Sequence, residues 1–373
     1  MSPLLQFALI FIASLIISPL VLRGVSFLLT RYSLLDRPHL YRSEQWRSPA
    51  PYGAGIAIII TLLILSPLVI YFGGFSDLLE HRLVIILVIG IIIALVSFVD
   101  DLDTIGRSTI KVPPIARLLM QIGVGALIGL TSIKISYMSN IFGGILPLDE
   151  WFWSFAIGDF AMTIYWIPII VTIIWYVVVF NAVNFSDGVP GLTGGFALIT
   201  FIILAGLAVK LYLTDTTLAS QENSRFLLAI LAIIIPITYA LTRADISRRI
   251  IMGDSGTIML AFLIATLAII AGGKIATAMS VLGIYLIDLV YVITARILSG
   301  QNPMKWDQTH HLHYRLMELG LTPSQIRWIV YSLSLVFGIA AIFLTTIGKI
   351  ILFAMIALVT IFLTEILDKV KRK

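Results

Sequence analysis

Asn181-Ala-Val-Asn184-Phe-Ser-Asp187-Gly188-Val-Pro190-Gly191-Leu192 lies between two strongly apolar segments, residues 167–180 and 196–209. Two carboxamides, one carboxylate and two glycines therefore stand where an apolar span meets water. Burying such groups in hydrocarbon is costly, so a polar cluster at a span end marks a functional site by default. Asn181, Asn184 and Asp187 are spaced three apart, and a helix continuing through them stacks them on one face. The glycines let the backbone turn and approach a ligand. A helix cap followed by a Gly/Pro turn explains the stretch in isolation equally well; the rest of the chain decides between the two.

The chain has 373 residues, 59% apolar and 12% charged, with a mean hydropathy of +1.04. A soluble domain carries roughly twice that charged fraction. The expected fold is all-α and polytopic in a membrane, one domain over residues 1–373. The absence of cysteine excludes disulfides, thiolate chemistry and Cys-ligated metal. Residues 1–22 lack a basic start and read as a first span rather than a cleaved signal. A span needs about 20 apolar residues. About eleven segments qualify: 4–22, 53–72, 82–99, 114–132, 163–180, 191–212, 225–241, 256–272, 275–296, 327–346 and 348–367. Assigning each Lys and Arg to its nearest span end puts 19 of the 25 on one side. The positive-inside rule makes that side cytoplasmic, with the N-terminus outside and the C-terminus inside. Residues 133–162, with Trp151, Phe152, Trp153 and Phe155, read as an aromatic interfacial stretch packed against the spans.

The inner loops carry polar residues that plain connectors do not need. The first holds Asp36-Arg37-Pro38 and ends in Pro51-Tyr52-Gly53-Ala54-Gly55. The second is Asp100-Asp101-Leu-Asp103-Thr-Ile-Gly106-Arg107. Adjacent carboxylates repel, so Asp100 and Asp101 expect a cation or a raised pKa, unless they are a solvated acidic turn. Met252-Gly253-Asp254-Ser255-Gly256 places an acid at a helix start, as a cap or as a metal ligand beside phosphate. The last is Asp307-Gln-Thr-His310-His311-Leu-His313-Tyr-Arg315. Zinc is disfavoured there because the i, i+4 pairing of zinc helices is absent. Phosphate or carboxylate contact suits the neighbouring basic groups. Carboxylate and amide oxygens favour Mg²⁺ or Mn²⁺; arginine and histidine suit phosphate. The combination points to phosphoryl transfer between a cytosolic nucleotide and a membrane lipid. An ion-coupled transporter is the alternative of another class; it expects acids near the bilayer midplane, where only Asp288 and Glu365 qualify.

Four of these motifs, in order over nearly the whole chain, resemble the polyprenyl-phosphate N-acetylhexosamine-1-phosphate transferases. They are Asp100-Asp101, the 181–192 block, Met252 to Gly256, and His311-Leu-His313-Tyr314. The resemblance implies Mg²⁺-dependent attack of a lipid phosphate on the β-phosphate of a UDP-amino sugar, releasing UMP. It implies a multi-pass protein of the cell membrane with its active site on the cytoplasmic side. Partners would be UDP-HexNAc, polyprenyl phosphate, the membrane and a second copy of the chain, with no nucleic acid. By position, Asp100, Asp101 and Asp254 would be catalytic, and Asp254 with Asn184 would hold the metal. Asp100 would position or deprotonate the lipid phosphate; an aspartate nucleophile is the covalent alternative. Asn181, Asp187, Arg107, Arg117, His311, His313 and Arg315 would bind substrate. Pro190 departs from the family's commoner acid or Asn, Tyr314 from a third histidine, Tyr285 from a proline, and 51–55 from Pro-x-x-Gly-Gly. Asp288 is expected either to orient a neighbour or to be a buried, paired acid. The His-Leu-His-Tyr-Arg-Leu pattern resembles the branch using UDP-GlcNAc rather than the phospho-MurNAc-pentapeptide transferases of peptidoglycan synthesis.

Overall fold

The computed structural model describes residues 3–38, 48–140, 144–157, 160–272, 275–300 and 311–371. Arg42, Arg47, Lys274, Lys305, Asp307, His310, Arg372 and Lys373 lie outside the described residues, as does the side chain of Glu365. The protein is mainly helical. In chain order the helices are α1 Pro3–Arg31, α2 Ile56–Gly73, α3 Asp77–Thr104, α4 Pro114–Gly129, α5 Trp166–Phe185, α6 Leu192–Thr214, α7 Leu218–Ile246, α8 Gly253–Ile270, α9 Ile275–Leu298, α10 Leu312–Glu318, α11 Pro323–Phe343 and α12 Thr346–Lys371. Each of the eleven expected apolar segments coincides with one of these, and the short α10 is the addition. Among the described residues, 9 helices are long and apolar enough to cross a membrane. Pro114–Gly129 and Thr346–Phe362 are apolar but shorter.

The expectation of an all-α fold needs correction between α4 and α5. Two antiparallel hairpins stand there: β1 Tyr137–Ser139 with β2 Ile145–Pro147, and β3 Phe152–Ile157 with β4 Phe160–Tyr165. The stretch is rich in aromatic and β-branched residues and too short between its turns for a helical face, so strand pairing wins.

The bundle is organised around α8. Its sequence is apolar on every side, the mark of a helix with no solvent face. It packs against α2, α3, α5, α6, α7 and α9, and all its residues but Asp254 are buried. Two polar contacts are made along it: Trp175 Nε1 donates to the Ala265 carbonyl at 3.1 Å, and the Tyr176 and Thr266 hydroxyls lie 2.6 Å apart. The N-terminus of α8 consequently opens in the middle of one end of the bundle.

The polar segments 34–38, 48–55, 100–117, 184–191 and 245–254 collect at that end. The 51–55 block lies directly on the start of α8. Ile251 N–H donates to the Pro51 carbonyl at 2.8 Å, and Gly53 and Ala54 N–H donate to the Ile251 carbonyl at 3.3 Å. Upstream, Asp36 is buried and accepts the Ala50 N–H at 2.7 Å, fixing where this segment starts. The contact is backbone on backbone: a Cβ on Gly55 would overlap the Ser255 carbonyl carbon and the Gly256 nitrogen. Backbone cannot swing aside as a side chain does. Gly55→Ala should therefore lower stability by about 1–3 kcal/mol, the scale of overpacking. The measurement is thermal unfolding in detergent; Gly24→Ala, where nothing lies within 4 Å, is the control.

Candidate active site

Asp100 and Asp101 end α3, both buried, but the structure separates their tasks. Asp101 is spent on α8. Its Oδ1 accepts the Asp254 N–H at 2.6 Å and its Oδ2 accepts the Ser255 N–H at 3.2 Å. The first N–H groups of a helix have no partner within it and carry the positive end of its dipole, so a carboxylate there is stabilised. The cap of α8 thus comes from a residue 153 positions earlier, and Asp254 is left with its side chain uncommitted to capping. Two glycines make the room. Gly253 has φ +72 and a Cβ there would lie 2.7 Å from Asp101 Oδ1; Gly53 has φ +97 and would bring a Cβ 3.1 Å from Asp101 Oδ2.

Asp100 turns the other way. Arg117, in the first turn of α4, donates from Nη2 to Asp100 Oδ1 at 2.7 Å and stands 3.8 Å from Asp254 Oδ2. Asn184, in the last turn of α5, donates from Nδ2 to Asp254 Oδ1 at 3.2 Å. Three helix ends therefore converge on Asp254. The next residue, Phe185, lies against His311 with the rings tilted and their centroids 5.0 Å apart. His311 Nδ1 lies 2.8 Å from Asp288 Oδ2, and the other Asp288 oxygen accepts the Leu312 N–H at 3.0 Å. Asp288 is both of the things expected of it, a buried, paired acid and the group that orients a neighbour. Asp100, Arg117, Asp254, Asn184, Phe185, His311 and Asp288 form one unbroken chain of contacts at one end of the bundle.

Asn181 and Asn184 share α5 at three-residue spacing, but Asp187 does not join them, because α5 ends at Phe185. Asn181, one turn deeper, donates from Nδ2 to the Gln121 side-chain Oε1 of α4 at 2.7 Å. Asp187 lies in the turn, exposed, accepting from Thr193 Oγ1 at 3.3 Å. Its outer face meets solvent, yet protein crowds its inner side. That crowding, then Asp245 and Asp254, push its carboxyl up to about 8, against the pull of Arg248. His313 is buried, its ring against Gly188 and parallel to His311 at 6.1 Å. Burial, then the His311 ring, push it down to about 3, so it is neutral. Neither of its ring nitrogens has a hydrogen-bond partner among the described residues. Arg315 is buried with its guanidinium over the Tyr291 ring, 5.3 Å from the centroid. Arg107 stands apart from the chain of contacts: it lines a cavity of about 300 Å³ with Arg37, Asp36 and Gly106.

Sequence reasoning passed over the residues that hold the 187–191 turn. Asp245, at the end of α7, is buried, accepts the Gly191 N–H at 2.6 Å and faces Arg248 at 3.4 Å. Arg327 of α11 donates to the Pro190 carbonyl at 2.9 Å, and the Tyr331 hydroxyl donates to that of Gly191. The signal for Asp245 was an acid inside a basic run, 243–249, which reads as loop charge until it is seen to be buried.

If Asp288 acts by holding His311, Asp288→Asn should lower turnover about tenfold, the lower end for loss of an orienting partner. Asparagine keeps the shape but withdraws the charge that fixes the His311 tautomer. A shifted pH–rate profile with unchanged thermal stability checks this.

Helices of this length and hydropathy, with a polar centre gathered at their ends, define a polytopic membrane protein. A family model described as Glycosyl transferase family 4 matches residues 83–272, about half of the chain, from α3 to the end of α8. The chain belongs to glycosyl transferase family 4. It is 26% identical over 337 residues to a probable undecaprenyl-phosphate N-acetylglucosaminyl 1-phosphate transferase of Bacillus subtilis, covering 88% of this chain and 81% of that one. It is 27% identical over 306 residues to a phospho-N-acetylmuramoyl-pentapeptide-transferase of Symbiobacterium thermophilum, covering 81% and 84%. The undecaprenyl-phosphate alpha-N-acetylglucosaminyl 1-phosphate transferase of Escherichia coli K12 is 23% identical over 305 residues, 79% and 72% of the two chains.

Proposed function

We propose that this enzyme transfers an N-acetylhexosamine-1-phosphate, GlcNAc-1-phosphate in the first instance, from its UDP-sugar to a polyprenyl phosphate at the cytoplasmic face of the cell membrane. An oxygen of the lipid phosphate attacks the β-phosphorus of the donor. The bond between the β-phosphorus and the bridging oxygen breaks, and that oxygen leaves with UMP. The observation that carries the reading is the contact chain from Asp100 to Asp288, which puts acids, an amide and bases of one membrane enzyme at a common face.

Asp254 and Asn184 suit a hard divalent cation. Their side chains already meet at 3.2 Å, and turning the amide over presents its oxygen beside the carboxylate. No group of three or more His, Cys, Asp or Glu that could hold a metal is found among the described residues. That is in keeping with Mg²⁺, which commonly takes one or two carboxylates and completes its shell with water and phosphate oxygens. Bound there, Mg²⁺ would neutralise the pyrophosphate and favour departure of UMP. Arg117 bridges Asp100 and Asp254 in the resting site and offers its guanidinium to an incoming phosphate. Asp100, freed from Arg117, positions or deprotonates the lipid phosphate. Asp187, His311, His313 and Arg315 would contact the nucleotide, sugar or pyrophosphate.

Both the GlcNAc-1-phosphate and the phospho-MurNAc-pentapeptide branches occur among the relatives, so the sugar is the variable to test. Purified protein with polyprenyl phosphate and a panel of UDP-sugars should release UMP, fastest from UDP-GlcNAc. EDTA should abolish release and added Mg²⁺ restore it. Release from UDP-MurNAc-pentapeptide alone would move the protein to the other branch, and no release from any UDP-sugar would overturn the reading. The transporter alternative lacks support in the geometry: the acids lie at helix ends, and Asp288 is engaged by His311.

A further inference from the structure

The opposite end of the molecule carries a surface that this reaction does not use. In the β3–β4 hairpin, Trp151, Trp153 and Phe155 fall on one face by the two-residue alternation of a strand. They are 61%, 69% and 43% exposed. Ile164 lies opposite Trp153 in the register and extends that face. The other face is mixed: Phe152 lies there, 52% exposed, but the Ser154 and Thr163 hydroxyls are 2.9 Å apart, and Lys134 Nζ sits 3.9 Å over the Tyr165 ring. The face with the two tryptophans is the more apolar of the two, and it is left uncovered.

What covers it follows from continuity. Tyr165 ends β4 and Trp166 begins α5, with no linker between them. The Trp151 and Trp166 rings meet edge to face at 6.2 Å. From Trp166 the same stripe runs down α5 at four-residue spacing through Ile170 and Ile174, 48% and 57% exposed. A stripe of exposed isoleucine on a membrane-spanning helix faces lipid. The hairpin's aromatic face is the upward continuation of that stripe, so the same medium covers both. Tryptophan at that depth favours the headgroup region, where its ring is apolar and its N–H is wet. α5 has 20 residues, about 30 Å of helix, which is one hydrocarbon thickness. The hairpin therefore belongs to the leaflet opposite the reaction centre. Asp149 and Glu150 adjoin Trp151 in sequence, so an anionic headgroup gains nothing there.

We propose that the β3–β4 hairpin is an interfacial anchor that lays Trp151, Trp153 and Phe155 into the headgroup–acyl boundary of the leaflet opposite the reaction centre. The chain has no cysteine, which makes site-specific labelling direct. Trp153→Cys and, on the other face, Ser154→Cys are each labelled with an environment-sensitive fluorophore in the full chain, reconstituted in phosphatidylcholine vesicles. Both positions are exposed, so neither change disturbs packing. The label at 153 should emit to the blue and be quenched several-fold more by lipid carrying a nitroxide just below the headgroup than by aqueous iodide. The label at 154 should show the reverse order. Adding phosphatidylglycerol should leave the quenching at 153 unchanged. Iodide quenching at 153 equal to that at 154 overturns the proposal. So does protection at 153 from both quenchers that is lost on diluting protein into excess lipid, which would assign the face to a second copy of the chain.

Discussion

Asp254→Asn should lower UMP release by about 10²- to 10³-fold, the scale on which one electrostatic contact to a transition state acts. The substitution keeps the shape of the side chain. It also keeps the cap of α8, which uses the backbone N–H of residue 254 and not its carboxylate. The protein should therefore insert and unfold as wild type does. What is lost is the formal charge facing Arg117 and Asn184. A neutral amide oxygen is a far weaker ligand for a hard cation than a carboxylate. Raising Mg²⁺ should not restore the rate, because the variant lacks the charge itself. Near wild-type turnover would remove Asp254 from the centre of the site.

Asp101→Asn makes a contrasting prediction, because Asp101 acts on position 254 from behind. Its two oxygens accept two backbone N–H groups. An asparagine can accept with one of its ends only. Its NH₂ end then faces an N–H that is also a donor, in a place where no water reaches. An unsatisfied buried donor costs about 1–3 kcal/mol, so the unfolding temperature should fall. The start of α8 shifts with it, and turnover should drop about 10- to 100-fold, as on loss of an orienting partner behind a metal ligand. Here a higher Mg²⁺ concentration should recover part of the rate, since the carboxylate at 254 is still present though displaced. If Asp101→Asn behaved as Asp254→Asn does, with stability intact and no recovery by Mg²⁺, the cap assignment would be wrong and Asp101 would be a direct participant.

The contrast between these neighbours marks how far the sequence could be read. Hydropathy alone placed eleven of the helices, because a residue's preference for hydrocarbon is a local property. The meeting of Asp100, Asn184, Asp254 and His311 was also legible, since alternating spans return their polar loops to one end. The division of labour between Asp100 and Asp101 was not. It depends on which way each side chain leaves the last turn of α3, and that is set by where α8 begins. Asp187 was misplaced for a similar reason. Three-residue spacing keeps it on the face of Asn181 and Asn184 only if the helix continues, and α5 stops at Phe185. The strands escaped because an aromatic stretch beside a membrane suits an interfacial segment of any secondary structure. Asp245 escaped because burial, which decides its role, has no signature in a run of mixed charge.

The clasp between Asp101 and the opening of α8 also bears on how the chain is made. A nascent polypeptide that has emerged only as far as α7 already contains Asp101, with nothing to receive its charge. It also contains Pro51 to Gly55, paired on one side with Leu34 and Leu35 but still without Ile251 on the other. Both wait for residues 251–255. The first three helices can pack on one another and on α7 before this, but the contacts of Asp101 and of 51–55 with the start of α8 form only when residues 251–255 arrive. Chains shortened before Met252 should be recognised and cleared by membrane proteolysis rather than accumulate as partial bundles, and pulse-chase of such truncations would show it as a short half-life.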